Sequence, residues 1–394
     1  MGNKRLTINL FATIISYSTT VIISFVLTPY LVNTLGKEVY GFYPLANNFV
    51  NYMAIITIAL NSMASRFITI EMFKGDKKKA NIYFSSIFFS NVFLSGFLFI
   101  LMSVIIIFLD NILQIPTDLI KSIKILFSLV FISMLINLIS NVFSVAVFLK
   151  NRIDIRSYID IVQGVLRLSL YLLMFYFFKP SITYIGIVSL VLSITYFFNH
   201  YSATKYLAPE LNIRFKFFDF NAVLEILSSG IWNSLSQLGG TLLSGTTILM
   251  ANILLGAKSA GEYSLVQTVP VFINGIISML TSIFLPVITQ KYANNDISGL
   301  VTEIKKSQRI LGLVTNIPIV IFMVIGKEFF SLWVPGEDAA KLQVLSVLTV
   351  IHLIIVGVVW PISNLNTVMN RVKTPAIFLI INGIEIFPES AGKV

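Results

Sequence analysis

The chain contains no cysteine in its 394 residues. Disulfides and thiolate metal sites are therefore excluded. Histidine is nearly as scarce: His200 and His352 are the only two, and neither has a metal-ligand companion at helical spacing. Charge is scarce too. Charged residues make up 12% of the chain, against about 25% in soluble domains, which is too few to solvate a globular surface. There is no Walker A loop and no dinucleotide fingerprint. Gly36 and Gly41 have apolar and aromatic neighbours, which suits a tight inter-helix connection and not a phosphate cradle. What the chain does have is apolar residues, 56% of the total. A membrane-spanning helix needs about 20 predominantly apolar residues. Runs of that length recur along almost the whole chain and leave no room for a sizeable soluble domain.

These runs predict membrane helices over 8–32, 42–65, 81–109, 122–149, 160–178 and 182–198. A polar stretch from His200 to Asn221 follows. Further helices are predicted over 222–254, 263–289, 309–331 and 341–369, and an eleventh begins near Pro375. The first run follows Lys4 and Arg5, as in a signal peptide, but it is too long for that and lacks a convincing cleavage site. It reads as a retained helix.

The net charge of +10 reflects membrane topology and not nucleic-acid binding. Alternating the helices across the membrane leaves Lys37, Lys121, Lys124, Lys179, Lys258, Lys327 and Lys341 on one side. The other loop cations, with Lys4 and Arg5, fall on the opposite side. This bias obeys the positive-inside rule. It predicts a multi-pass protein of the cytoplasmic (inner) membrane with its N-terminus cytoplasmic.

An internal repeat is present. The segment Leu35-Gly36-Lys37-Glu38-Val39-Tyr40-Gly41-Phe42-Tyr43 resembles Leu255-Gly256-Ala257-Lys258-Ser259-Ala260-Gly261-Glu262-Tyr263. Asp76 and Asp296 fall at the same offset, each in the loop that follows. A unit of about six helices returns to its starting side, so two such units are parallel repeats, and transporter sites form where repeats meet. The predicted fold is an all-α integral membrane protein, with two parallel-repeat helix bundles around a central cavity. A first bundle covers 1–199, a cytoplasmic connecting loop 200–221, and a second, incomplete bundle 222–394. The repeat predicts that the chain ends early. At the repeat offset, the copy of 160–178 would run beyond Val394. The apolar run from Ala376 to Phe387 is about half of a span and already contains Asn382, Gly383 and Glu385. The expectation is about ten full spans plus a partial eleventh, a twelve-helix type truncated at its C-terminus.

Polar residues form stripes on several helices. The seventh carries Asn233, Gln237, Thr241 and Ser244, and the eighth Gln267, Asn274, Ser278 and Thr281. The first carries Asn9, Thr13, Tyr17, Thr20 and Ser24; the second Asn47, Asn51 and Asn61; the fourth Asn137, Asn141 and Ser144. At the repeat offset Thr13 corresponds to Asn233, and Tyr17 to Gln237. Small polar residues also join membrane helices by hydrogen bonds, but stripes in both halves favour a shared polar cavity for a hydroxyl-rich ligand. Thr13, Tyr17, Asn233 and Gln237 are therefore candidate substrate-binding residues. Charges at membrane depth are functional candidates by default. Arg167 lies near the middle of the fifth helix, and Arg66 closes the second, where it either snorkels or faces the cavity. Glu225 reads as a surface anchor and His352 as a packing histidine. Cations in a polar cavity would attract a phosphate-bearing ligand.

The arrangement of Asn9, Thr28-Pro29-Tyr30-Leu31, Leu35 to Gly41, and Arg66 after a second helix resembles the polysaccharide-biosynthesis flippases of the O-antigen and capsule type. These belong to the multidrug/oligosaccharidyl-lipid/polysaccharide exporter superfamily. The resemblance implies a V-shaped fold of twelve or fourteen helices. It implies movement of undecaprenyl-diphosphate-linked oligosaccharide by alternating access, with Arg66 and Arg167 as diphosphate-facing cations. It implies no enzymatic activity and no cofactor. The implied partners are lipid-linked oligosaccharide, membrane lipid, and polysaccharide polymerase and assembly proteins. A multidrug exporter of the same superfamily usually carries an acidic site in its early helices, and the first three predicted helices hold no carboxylate. A membrane glycosyltransferase or polymerase would need a large extracytoplasmic loop, and every predicted loop is short.

Overall fold

A computed structural model describes residues 2–244, 246–293, 295–369 and 373–381. Among them there are helices and no strands. In chain order the helices are α1 (Gly2–Leu35), α2 (Lys37–Tyr40), α3 (Phe42–Asn61), α4 (Ala64–Phe73), α5 (Lys77–Ile107), α6 (Leu109–Ile112), α7 (Ile120–Ser140), α8 (Val145–Leu149), α9 (Ile153–Phe177) and α10 (Thr183–Leu207). Then come α11 (Phe220–Ser244), α12 (Thr246–Leu255), α13 (Ala257–Val266), α14 (Thr268–Ala293), α15 (Ile297–Trp333), α16 (Ala339–Val350) and α17 (Leu353–Val368). Residues 373–381 are helical too. The rest of the expected eleventh run, from Asn382 to the end, lies outside the described residues.

Nine stretches among the described residues are long and apolar enough to cross a membrane. The predicted seventh span, 222–254, is helical as α11 and α12. Several helices extend past their predicted ends. The fifth begins at Ile153 and not at 160; the sixth runs to Leu207 and not to 198. His200, assigned from sequence to the polar stretch, therefore sits inside α10 and is fully buried. Polarity misled here because Thr204 and His200 face protein: the Thr204 hydroxyl donates to the Phe143 carbonyl at 2.7 Å. Large apolar side chains point outward along the spans. Phe93 is 86% exposed and Val324 73%, which only lipid can cover at acceptable free energy.

The structure divides into two compact units that interleave in sequence. The first comprises Met1–Leu27, Phe42–Ala257 and Ala376–Val394; the second comprises Thr28–Gly41 and Lys258–Pro375. Within α1 the boundary falls beside Pro29, whose ring removes a helical hydrogen bond.

In the first unit the core gathers Ile68, Tyr83, Phe84, Ile87, Val142 and Ile226. Apart from a single 3-10 turn at Phe215–Phe217, the segment between α10 and α11 has few backbone partners of its own, and buried backbone groups must find them. The polar face of α5 supplies them. The Asn81 amide donates to the Glu210 carbonyl at 3.1 Å and accepts from the Asn212 N–H at 2.6 Å. Ser85 donates to the Asn212 carbonyl, and Ser86 accepts from the Asp219 N–H at 2.9 Å. Tyr83 donates to Glu225 at 2.7 Å. Glu225 thus joins α5 to α11.

The sequence repeat has a structural counterpart. Asp76 and Asp296 are both helix N-caps, with φ −82°, ψ 76° and φ −82°, ψ 78°. Each carboxylate accepts from the N–H three residues on, of Lys79 and Gly299 respectively, at 2.9 Å. In the second unit, Lys37 pairs with Glu337 and lies 3.5 Å from Glu262, which also accepts from Lys341 at 2.5 Å. His352 is exposed in the break between α16 and α17.

Candidate functional site

The site begins with α9. Asn9 on α1 fixes the turn before it. Its amide donates to Asn151 Oδ1 at 2.9 Å and its oxygen accepts from the Asp154 N–H at 3.2 Å. Asn151 adopts φ 50° there, a conformation asparagine tolerates better than most residues. Asp154 sits in the first turn of α9, where a carboxylate suits the positive end of the helix dipole. It also pairs with Arg152 at 2.9 Å. Starting the helix at Ile153 sets the register of everything downstream.

In that register Arg156, Asp160, Gln163 and Arg167 recur at spacings of four, three and four, which places them on one face. This face lines a cavity of about 740 Å³ inside the first unit. Opposite it, α1 contributes Ser16 and Thr20 beside Thr13 and Tyr17, α3 contributes Tyr43 and Asn47, and α7 Ser133 and Asn137. Asn141 follows α7, and Ser189, Ser193 and Tyr196 come from α10. The wall thus mixes hydroxyls, amides and phenols with the apolar Ile23, Val50, Val130, Met134 and Leu192, around two guanidiniums and one carboxylate.

Some of these polar groups are already engaged. The Thr13 hydroxyl donates to the Asn9 carbonyl at 2.8 Å, and Thr20 to Ser16 at 3.0 Å. Gln163 donates to Thr195 at 3.0 Å. Arg156 Nε lies 3.9 Å from Asp160 Oδ2, with the two side chains 60% and 40% exposed. A pair so solvated contributes only about 0–1 kcal/mol, so it can be exchanged for another partner.

The sequence-based candidates are distributed unevenly. Thr13, Tyr17 and Arg167 line the cavity together. Arg66 is exposed on α4 and does not line it; Gln237 is exposed on α11 and does not line it either. Asn233 lies outside the residues whose side chains are described. Other stripe residues serve as helix glue: Asn61 and Asn91 exchange amide hydrogen bonds at 3.1 and 2.9 Å, and Gln267 donates to the Tyr263 hydroxyl at 2.5 Å. Sequence reasoning left Arg156 in a loop because it began the fifth helix at 160, and it passed over Asp160 and Gln163 although both fall within the predicted helix. The signal was available: carrying the helical spacing back from Arg167 reaches all three.

Residues 6–292 match the protein family described as "Polysaccharide biosynthesis protein". The chain belongs to that family. This family member is 28% identical over 379 residues to the "Uncharacterized membrane protein EpsK" of Bacillus subtilis (strain 168), a match covering 96% of this chain and 75% of that protein. Its fold is similar to that of an inward-facing multidrug resistance MATE family transporter of the MOP superfamily. There the TM-score is 0.70 at 16% identity, covering 96% of this chain and 86% of the other. It is also similar to a ligand-bound MATE multidrug transporter, DinF-BH, at TM-score 0.71 and 13% identity, covering 95% of this chain and 83% of the other. The family, the candidate spans and this fold make the chain a multi-pass membrane protein of a polysaccharide-biosynthesis family, built from two repeat bundles.

Proposed function

We propose that the chain is a flippase that moves undecaprenyl-diphosphate-linked oligosaccharide across the cytoplasmic membrane by alternating access. Its N-terminus would be cytoplasmic, as the loop cations suggest. The observation that carries this reading is the pairing of Arg156 and Arg167 on one face of α9 with a wall of hydroxyls and amides. Guanidinium forks suit phosphate oxygens, and a neutral hydrogen-bonding wall suits sugar hydroxyls. A cavity for cationic drugs would need the opposite charge balance; here two cations face one carboxylate. Arg66, outside this cavity, is assigned to headgroup contact at the membrane surface, where a snorkelling cation meets phosphate.

The test is a flipping assay on the reconstituted full chain, with fluorescent undecaprenyl-diphosphate-oligosaccharide in liposomes. Transport should depend on the chain, fall to background in Arg167→Ala, and survive partially in Arg167→Lys, which keeps the charge but loses the planar fork. Equal transport by the wild-type chain and both variants would overturn the reading.

A further inference from the structure

Asp160 is the only carboxylate among the described residues that line the first-unit cavity. It lies one helical turn beyond Arg156 and two turns before Arg167, on the same face of α9. The titratable groups that line the cavity from other helices are phenols: Tyr17 on α1, Tyr43 on α3 and Tyr196 on α10. Behind Tyr196, its ring centroid 4.2 Å away, lies His200, which is fully buried with neither ring nitrogen hydrogen-bonded among the described residues. Gln163, next along the α9 face, is held by Thr195. The cationic neighbours of Asp160 in the cavity are therefore Arg156, at 3.9 Å, and Arg167 farther along.

We infer that Asp160 is a resident counter-ion that holds Arg156 while the cavity is empty and yields it to the diphosphate of the ligand. This rests on the reading of the cavity as an anion site. One guanidinium fork cannot serve a carboxylate and a diphosphate at full strength together. An ionised Asp160 therefore competes for Arg156 and repels the anion beside it. A protonated Asp160 does neither. Asp160 is accordingly a positioning residue that acts through Arg156. It keeps anion affinity low enough for release, and it makes binding depend on pH. Charge competition of this kind is also how a site discriminates between ligands: a neutral sugar feels no penalty from Asp160, whereas a diphosphate must displace it.

The experiment measures binding of inorganic pyrophosphate, and in parallel of undecaprenyl diphosphate carried in phosphatidylcholine nanodiscs, to the reconstituted full chain from pH 8 downward. Asp160→Asn should tighten both by roughly two- to fivefold at pH 8, as expected when one partly solvated ion pair no longer competes for Arg156. That gain should shrink as the pH falls and the wild-type carboxyl takes up its proton. Asp160→Glu should restore the wild-type pH profile. Asp160→Ser, which also removes the charge, should behave like Asp160→Asn and guards against a variant that fails to fold. Unchanged or weaker binding in both neutral variants, with Arg167→Ala still abolishing it in the wild-type background, would overturn the counter-ion role and leave the anion site standing. No binding of either ligand to the wild-type chain would overturn both. Binding of the lipid form alone would assign the competition to lipid-linked diphosphate and not to the free ion.

Discussion

Gly41 lies against Gly261 in the second unit: a Cβ built on Gly41 would fall 2.7 Å from the Gly261 Cα. The two copies of the repeated loop thus meet at their second glycines. Gly41 has φ −57°, which alanine adopts readily, so the glycine is required by proximity and not by backbone angle. Gly36, the first glycine of the same loop, is the opposite case. It has φ +85° with nothing within 4 Å of an added Cβ. Gly41→Ala should destabilise the protein by about 1–3 kcal/mol through overpacking. Gly36→Ala should cost about 1–3 kcal/mol through backbone strain alone, since its φ +85°, ψ 148° is a conformation reached essentially by glycine only. Thermal unfolding in detergent of both variants and of Gly261→Ala checks this. The Gly41 and Gly261 changes should be non-additive, and independent additive effects would show that the loops do not touch.

The ion cluster beside that contact yields a second expectation. In space the order Glu337, Lys37, Glu262, Lys341 alternates in sign, and the side chains of Glu262 and Glu337 are only 13% and 14% exposed. Glu262→Gln should destabilise the chain by about 1–2 kcal/mol. This is less than for a fully buried pair, since Lys341 is half exposed. A double-mutant cycle with Lys341→Met measures the coupling, and a coupling of zero would contradict the pairing.

Asp296 gives a pH prediction. Lys291, then the Gly299 N–H and the Ser298 hydroxyl, hydrogen-bond its carboxylate and hold it down from 3.8 to about 2. The native state therefore binds this proton less readily than the unfolded chain. The resulting stabilisation is present above about pH 4 and is lost as the pH falls towards 2. Carbon NMR of labelled aspartate should show this group titrating near pH 2, and Lys291→Met should move the midpoint upward. An unchanged midpoint in that variant would remove Lys291 as the main cause.

Asn91 is fully buried on α5 and donates to Asn61 at 2.9 Å and to the Leu138 carbonyl at 3.1 Å. Asn91→Ala should leave the Asn61 amide short of a partner and cost about 1–3 kcal/mol. Asn61→Leu together with Asn91→Leu should be milder than the single alanine change, because both unsatisfied groups disappear. Unfolding of the variants in one detergent settles the order.

The membrane class and the approximate positions of the spans were readable because length and apolarity decide them, whereas the start of α9 and the end of α10 were not. The paired glycines and paired aspartates were readable as a repeat, since the same loop geometry demands the same residues twice. Polar stripes were harder. Thr13, Tyr17 and Asn137 line the cavity, while Asn61, on an equally polar helix, hydrogen-bonds Asn91. Nothing local separates a residue that lines a cavity from one that joins two helices, because both are small polar groups on a membrane helix.

Composition and spacing were enough to show a helical membrane protein with an internal repeat, and to single out Arg167 within an apolar span. Tertiary structure decided the rest. It set the start of α9 at Ile153 through Asn9, a residue far away in the chain. That start turned Arg156 from a loop cation into a cavity residue beside Asp160. It placed Arg66 and Gln237 outside the cavity that Arg167 enters. The reason is physical: composition and hydropathy report which solvent a segment prefers, whereas the partner of each polar face depends on which distant helix packs against it.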